Sequence, residues 1–398
     1  MDYDLIIIGG GLAGAALGRA LALHGVRVLV VERETRFRDR VRGETIHPWG
    51  VAEARALGLA DLLLATCGKE VRWWRASAVG TLGLTERDLI ATTPARAGEL
   101  TFHHPAMQET LLRAATDAGA VVRRGVRAVD LVPGAVPRVH VQAEDGDAET
   151  ISARLVVVAD RRDSRARSWA GFTVNRDPER LVIAGFLLAG LRLPDDAVRG
   201  VSHAAAGHFA LFFPLRDGRH RVYYVYRRTG APRPLSGLRH TGDFIAACVA
   251  AGADPDWFDN AQPAGPLATF EGADRWVDRP YRDGVVLMGD AAAACDPSWG
   301  CGMALALHDV RTLRDLLLAS DDWDAAGRAY AAEHDRFYGS LHRLEEWRAA
   351  LFEIGPEADA RRARVLPMLA AVAPGSAPDL VGLGPDGPSD EATLRNFV

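Results

Sequence analysis

Residues 4–14 read DLIIIGGGLAG, and the fold is decided there. Residues 4–8 form a short apolar run, the pattern of a strand covered on both faces. Gly9, Gly11 and Gly14 then fall in the spacing GxGxxG, and a helical pattern runs from about Leu12 to His24 with Gly25 as its stop. Gly9 permits a tight turn, Gly11 lets backbone approach a pyrophosphate, and Gly14 lets the helix pack closely on the sheet. With Leu12 and Ala13 they present free N–H groups of a helix N-terminus to phosphates. The next strand, VRVLVV at 26–31, runs into Glu32 and Arg33. Glu32 is spaced to accept hydrogen bonds from a ribose diol. Strand, turn, helix, strand and acid together form a dinucleotide-binding fingerprint, which alone does not separate FAD from NAD.

Working outward, helices are expected at 48–66 and 105–118, and strands at 120–123, 126–132, 138–142 and 154–160. Residues 180–193 and 207–228 are rich in Val, Leu, Phe and Tyr, and RDGRH at 216–220 divides the second stretch. That reads as an antiparallel sheet. VVLMGD at 285–290 is again a buried parallel strand, followed by a helix over 302–319 and helical patterns at 322–352 and 357–372. From Pro374 the chain is rich in Gly, Pro and Asp, and reads as an irregular, loosely held tail. The expected class is α/β: a Rossmann-like nucleotide domain (1–72, 100–175 and 268–330), an inserted antiparallel-sheet substrate domain (73–99 and 176–267), and C-terminal helices and tail (331–398).

Composition narrows the function. The net charge is −5, and the arginines that make up all but Lys69 of the 47 basic residues are scattered, which excludes a nucleic-acid or anionic-membrane footprint. The four cysteines, at 67, 248, 295 and 301, fit no metal or disulfide template. A reduced, cytoplasmic setting with no bound metal is expected. No apolar run is long enough for a membrane span, and residues 1–8 enter a strand with no leader.

A second motif separates FAD from NAD. Residues 285–307, VVLMGDAAAACDPSWGCGMALAL, resemble the GD motif of FAD-dependent monooxygenases of the para-hydroxybenzoate hydroxylase type. The resemblance implies that Asp290, after Gly289, binds the ribityl chain. It also implies that the turn from Pro297 through Gly300 and Cys301 to Gly302 and Met303 aims the next helix at the flavin's pyrimidine edge. A helix N-terminus there stabilises the negative charge of reduced flavin. The likeness covers most of residues 1–320. Arg42 lies where the family has a phosphate-contacting arginine, and Gln108 where a cofactor-contacting polar residue is common. His104 replaces the usual arginine of the RxxLxxxLL pattern. Asp160, Ser164 and Arg167 match the DG motif, and FFPLRDGR at 212–219 is similar to the strand and turn lining the family's substrate cavity.

The chain departs from the pattern at Arg161 (family glycine), Ala293 (family histidine) and Cys301 (family glutamine). Asp296 and Pro297 form a DP pair that also occurs in flavin halogenases and geranylgeranyl-reductase-like enzymes. His47 is either an acid or base near the flavin or a residue that caps and packs the helix after Pro48, and Glu44 has the same standing. Lys69 lies in the region of the halogenase lysine, without the WxWxIP motif that accompanies it. Most of Phe209, Phe212, Phe213, Tyr223, Tyr224 and Tyr226 are expected in the core, with one or two facing a flat substrate.

The resemblance implies non-covalent FAD, NAD(P)H as a transient reductant and O2 as co-substrate. The expected activity is hydroxylation or epoxidation of a hydrophobic aromatic or polyketide-like small molecule of secondary metabolism, by a monomer or homodimer. No nucleophile triad is needed, because the cofactor performs the difficult steps. Two other readings stand beside it: an FAD-dependent reductase, dehydrogenase or halogenase-like enzyme, and a non-catalytic FAD-containing partner protein. The substrate is expected between the flavin and the sheet of residues 180–228.

Overall fold

The computed structural model describes all residues except 80–83, 144–145, 147, 229–233, 372–374 and 397–398. Its first sheet is built on Tyr3–Ile8, flanked in parallel by Val28–Glu32 on one side and the C-terminal half of Ala148–Val158 on the other. Val121–Arg124 and Val285–Leu287 extend it outward, also in parallel. Register explains the apolar runs. Leu5, Ile7, Val28 and Val30 enter one core with the helix Leu12–Ala22, while Ile6, Ile8, Leu29 and Val31 enter another with Leu131, Val139 and Val285. Strands covered on both faces have no polar side to alternate with. The N-terminal half of 148–158 turns aside to pair antiparallel with Arg138–Ala143.

The second sheet has seven strands in the order Gln262–Gly272, Leu181–Ala189, His220–Arg227, His208–Pro214, Ala197–His203, Trp73–Ala78 and Thr85–Asp88. The hairpin at 214–220 falls on the expected turn signal. The sheet is antiparallel except where Trp73–Ala78 runs parallel to Ala197–His203, a pairing of residues 124 apart in the chain that no local pattern announces. The aromatics divide by face. Phe212, Tyr224 and Tyr226 pack under the helix Thr241–Ala250, against Phe244 and Cys248, whereas Phe209, Phe213 and Tyr223 face the other way.

Two expectations are corrected. The helix over 48–66 is two helices, Pro48–Ala56 and Ala60–Thr66, because Gly58 at φ +63° breaks the run. The strand at 285–290 stops at Leu287, since Gly289 at φ +56° turns the chain out of the sheet. The helices Gly302–Ala319, Trp323–Ala350 and Pro356–Ala371 follow.

Pro374 lies outside the described residues, but the tail beyond it is not loose. The Trp49 indole donates to the Leu380 carbonyl at 2.9 Å, and Arg87 Nη2 donates to Asp379 Oδ2 at 2.7 Å. Asp379 Oδ1 in turn accepts from the backbone of Val381 and Gly382. Side-chain anchors of this kind come from distant parts of the chain, and composition does not reveal them. Among the described residues, no helix is long and apolar enough to cross a membrane.

Candidate active site

A single cavity of about 1500 Å³ runs from the glycine turn to the open face of the seven-stranded sheet. Single small-ligand sites span roughly 300–1,000 Å³. This volume has room for a dinucleotide and a second molecule.

At the nucleotide end, backbone makes the shape. A Cβ on Gly14 would sit 1.9 Å from the Gly9 carbonyl oxygen, and Gly9 itself stands at φ +107° against Ala159. Gly14 therefore packs helix on strand and is absent from the cavity wall. Gly11 is different: the nearest atom to its would-be Cβ is Gln108 Nε2, at 3.7 Å, so the space in front of it is open cavity. Glu32 is held at the rim. Its Oε2 accepts from the Gly10 amide at 2.7 Å and its Oε1 from the Glu34 amide at 2.8 Å. Asp160 Oδ1 is buried without a hydrogen-bond partner, an acceptor that a ligand hydroxyl would satisfy. Burial pushes its carboxyl up, and the Ser164 hydroxyl opposes that shift.

Asp290 lies across the cavity with its Oδ2 3.9 Å from Arg42 Nη1. Burial pushes Asp290 up, while Arg42 and then Arg162 pull it down. Leu12, Ala13, Arg33, Gly289, Pro297, Gly300, Gly302 and Met303 line the same space. Open backbone at Gly11, a fixed acid at Glu32 and an orphaned acceptor at Asp160 fit a dinucleotide. His104, where the family has arginine, donates from Nδ1 to the Gly43 carbonyl at 2.7 Å, and burial lowers its pKa to about 4. It is a neutral packing group. Arg161 occupies the family's glycine position and keeps the glycine conformation, φ +116°. Its Nε donates to the Asp160 carbonyl at 3.1 Å.

Five residues singled out in the sequence are tied up by the fold, and for His47 the packing alternative is the one seen. His47 is buried with both ring nitrogens committed, Nδ1 to Glu99 Oε1 at 2.8 Å and Nε2 to the Trp299 carbonyl at 2.9 Å. Burial would lower its pKa, but the Glu99 charge and these bonds raise it overall. With no nitrogen free to exchange a proton with a ligand, His47 clamps the turn before the helix Gly302–Ala319. Glu44 is likewise no acid or base. Both its oxygens are taken by Arg221, through Nε and through Nη2 at 2.8 Å, and Arg221 Nη2 also reaches both oxygens of Asp39.

The Cys301 side chain is fully buried behind the turn, outside the cavity wall, and burial raises its thiol well above the ordinary range. Lys69 pairs with Asp195 at 2.5 Å and does not line the cavity. Asp296 of the DP pair is similarly absent from the wall. It caps its own turn by accepting from the Ser298 amide at 2.9 Å.

The far end of the cavity contains residues that sequence reasoning missed. Trp299 stacks on Phe209 with ring centres 5.9 Å apart, and Phe352 lies 4.8 Å from Phe209. Trp347, Arg348 and residues 377–381 of the tail complete that wall. They come from segments as far apart as Phe209 and Val381, and of these residues only Trp299 lies within a motif.

Comparison with known proteins agrees with the fold. The FAD binding domain family matches residues 2–336, and the chain belongs to that family, one of flavin-dependent oxidoreductases. Its relatives include rifampicin monooxygenase of Streptomyces venezuelae, 29% identical over 89% of this chain and 73% of that protein. Squalene epoxidase 3 of Arabidopsis thaliana is 28% identical over 79% of this chain, which spans only 60% of that protein's length. Among solved structures, p-nitrophenol 4-monooxygenase PnpA from Pseudomonas putida DLL-E4 superimposes with a TM-score of 0.77. The match covers 90% of this chain and 91% of that one, at 16% identity.

Proposed function

We propose that the protein is an NAD(P)H-consuming monooxygenase that hydroxylates or epoxidises a hydrophobic aromatic or polyketide-like small molecule. The observation that carries this reading is the continuity of the cavity from the Gly9–Gly14 turn to the aromatic cluster of Phe209, Trp299 and Phe352. Cofactor and substrate then share one enclosure. The parallel-sheet segments form the FAD domain, and the seven-stranded sheet roofs the substrate.

Bound FAD would supply the redox chemistry, with electrons taken from NAD(P)H and one atom of O2 passed to the substrate. The chain's own residues bind, orient and exclude water. Gly11 and the amides opening the helix Leu12–Ala22 receive the pyrophosphate, with Arg42 and Arg33 at its rim. Glu32 receives the adenosine ribose and Asp290 the ribityl chain, with Asp160 and Gln108 alongside. The helix Gly302–Ala319 aims its N-terminus at the isoalloxazine, where Gly289, Pro297, Gly300 and Met303 shape the wall. Arg161 offers a guanidinium to the phosphates of the visiting reductant.

The test begins with the purified protein, expected to be yellow and to release FAD on denaturation. NADPH or NADH should then bleach the flavin without oxygen. Turnover of aromatic candidates under 18O2 should give product carrying one labelled atom. A product formed without label would overturn oxygenation in favour of a reductase. A flavin that no hydride donor bleaches would favour the non-catalytic reading.

A further inference from the structure

Arg348 stands in the last turn of the helix Trp323–Ala350 and lines the far end of the cavity, beside Trp347, Phe352 and the 377–381 wall. Its guanidinium, partly exposed to the cavity, makes no hydrogen bond, ion pair or cation–π contact with any described residue. The acids nearby are already committed. Asp379 bonds Arg87 and the backbone of Val381 and Gly382, Glu86 bonds Arg75, and Asp88 bonds Arg72.

The helix end does not need Arg348 either. The Ala350 carbonyl accepts from Arg361 at 3.0 Å, and the Leu351 carbonyl accepts from Arg362 at 3.0 Å. An arginine cannot shed its proton in a protein. Beside the Arg87–Asp379 pair, the aromatic chamber therefore holds one more guanidinium with no carboxylate bonded to it, and burial acts against that charge with Asp379 in partial opposition.

We infer that Arg348 is a substrate anchor, and that the molecule taken into the chamber is a ring compound bearing a carboxylate. The planar guanidinium fork matches two carboxylate oxygens at once, and binding would supply the missing negative charge. The surrounding rings favour a flat hydrocarbon body. A carboxylate held at Arg348 would fix which carbon of the ring system faces the flavin end. This deepens the proposed function and rests on reading the cavity as a substrate chamber.

The test uses the FAD-loaded enzyme at pH 7 and follows the flavin's visible difference spectrum during titration, which reports occupancy whether or not turnover occurs. Benzoate, 2-naphthoate and anthracene-2-carboxylate are each compared with their neutral amides. In the wild type at least one carboxylate should bind ten-fold or more tightly than its amide. Arg348→Gln should abolish that preference and leave amide affinity within about two-fold, and Arg348→Lys should restore part of it. Equal affinity for acid and amide in the wild type, absence of carboxylate binding, or a preference that survives in Arg348→Gln would each overturn the assignment. Failure of the monooxygenase reading looks different: carboxylate preference would persist while no product carries oxygen from 18O2.

Discussion

The two ends of the cavity are built in opposite ways. The nucleotide end is made largely of backbone supplied by a few short segments, and its precision comes from glycines whose missing side chains leave room. The chamber end is made of side chains contributed by Trp74, Ser77, Arg87, Phe209, Phe213, Tyr223, Trp299, Trp347, Arg348, Phe352 and residues 377–381. A cofactor common to many enzymes is held by local chain geometry. A particular substrate is surrounded by groups that meet only after the whole chain folds. The first kind of site tolerates little change in one short motif, and the second can change one residue at a time.

The largest expected effect is at the join between the two ends. Arg221 is fully buried and ties the sheet strand His220–Arg227 to Asp39 and Glu44, which stand on either side of Arg42 in the chain. Arg221→Met removes one side of a buried ion pair and strands two acids, so it should cost about 3–5 kcal/mol in chemical denaturation. Should it cost less than about 1 kcal/mol, the two ends are not joined through this cluster.

The contrast within the glycine turn is next. Gly14→Ala forces a methyl against the Gly9 carbonyl and should destabilise by about 3 kcal/mol, with loss of bound FAD. Gly11→Val meets no protein atom closely, so its melting temperature without cofactor should stay near the wild type while FAD binding is lost. If Gly11→Val retains full FAD absorbance, the turn does not face a pyrophosphate.

His47 gives a smaller effect with a definite pH sign. Its folded pKa is raised by Glu99, so its contribution is fully present below its unfolded pKa of about 6.5 and fades as pH rises through the folded value. The stability gap between wild type and His47→Gln should be about 2 kcal/mol near pH 6 and narrow toward higher pH. A gap that widens with pH would remove the charged clamp from the account.

Arg161→Gly is the smallest. It relieves a non-glycine residue at φ +116° but returns conformational freedom to the unfolded chain, for a net gain of about 1 kcal/mol in thermal unfolding. Anaerobic reduction by NADPH should slow in the same variant. Equal or faster reduction with both nucleotides would mean that the Arg161 side chain obstructs the reductant.

The same contrast explains what could be read beforehand. The run from Leu5 to Glu32 was legible because its meaning is local: strand period, glycine spacing and acid position all lie within one supersecondary unit. His47 and Glu44 were visible as candidates by residue type, but their neutralising partners, Glu99 and Arg221, lie 52 and 177 residues away. Burial of both partners, not the motif, decides that they clamp. Trp299 lies inside the 285–307 motif, yet its stacking on Phe209, with Phe352 tilted against both rings, joins three distant segments. The tail's wall depends on one indole and one guanidinium reaching it, and low-complexity composition concealed both.

That wall also has a consequence in time. Everything that surrounds the glycine turn, through Met303, leaves the ribosome before residues 377–381 are made. Chains fold largely from the N-terminus as they emerge. The nucleotide end can be assembled while the chamber still lacks its last side, so during synthesis the pocket stands open on the flank that Leu380 later closes beneath Trp49.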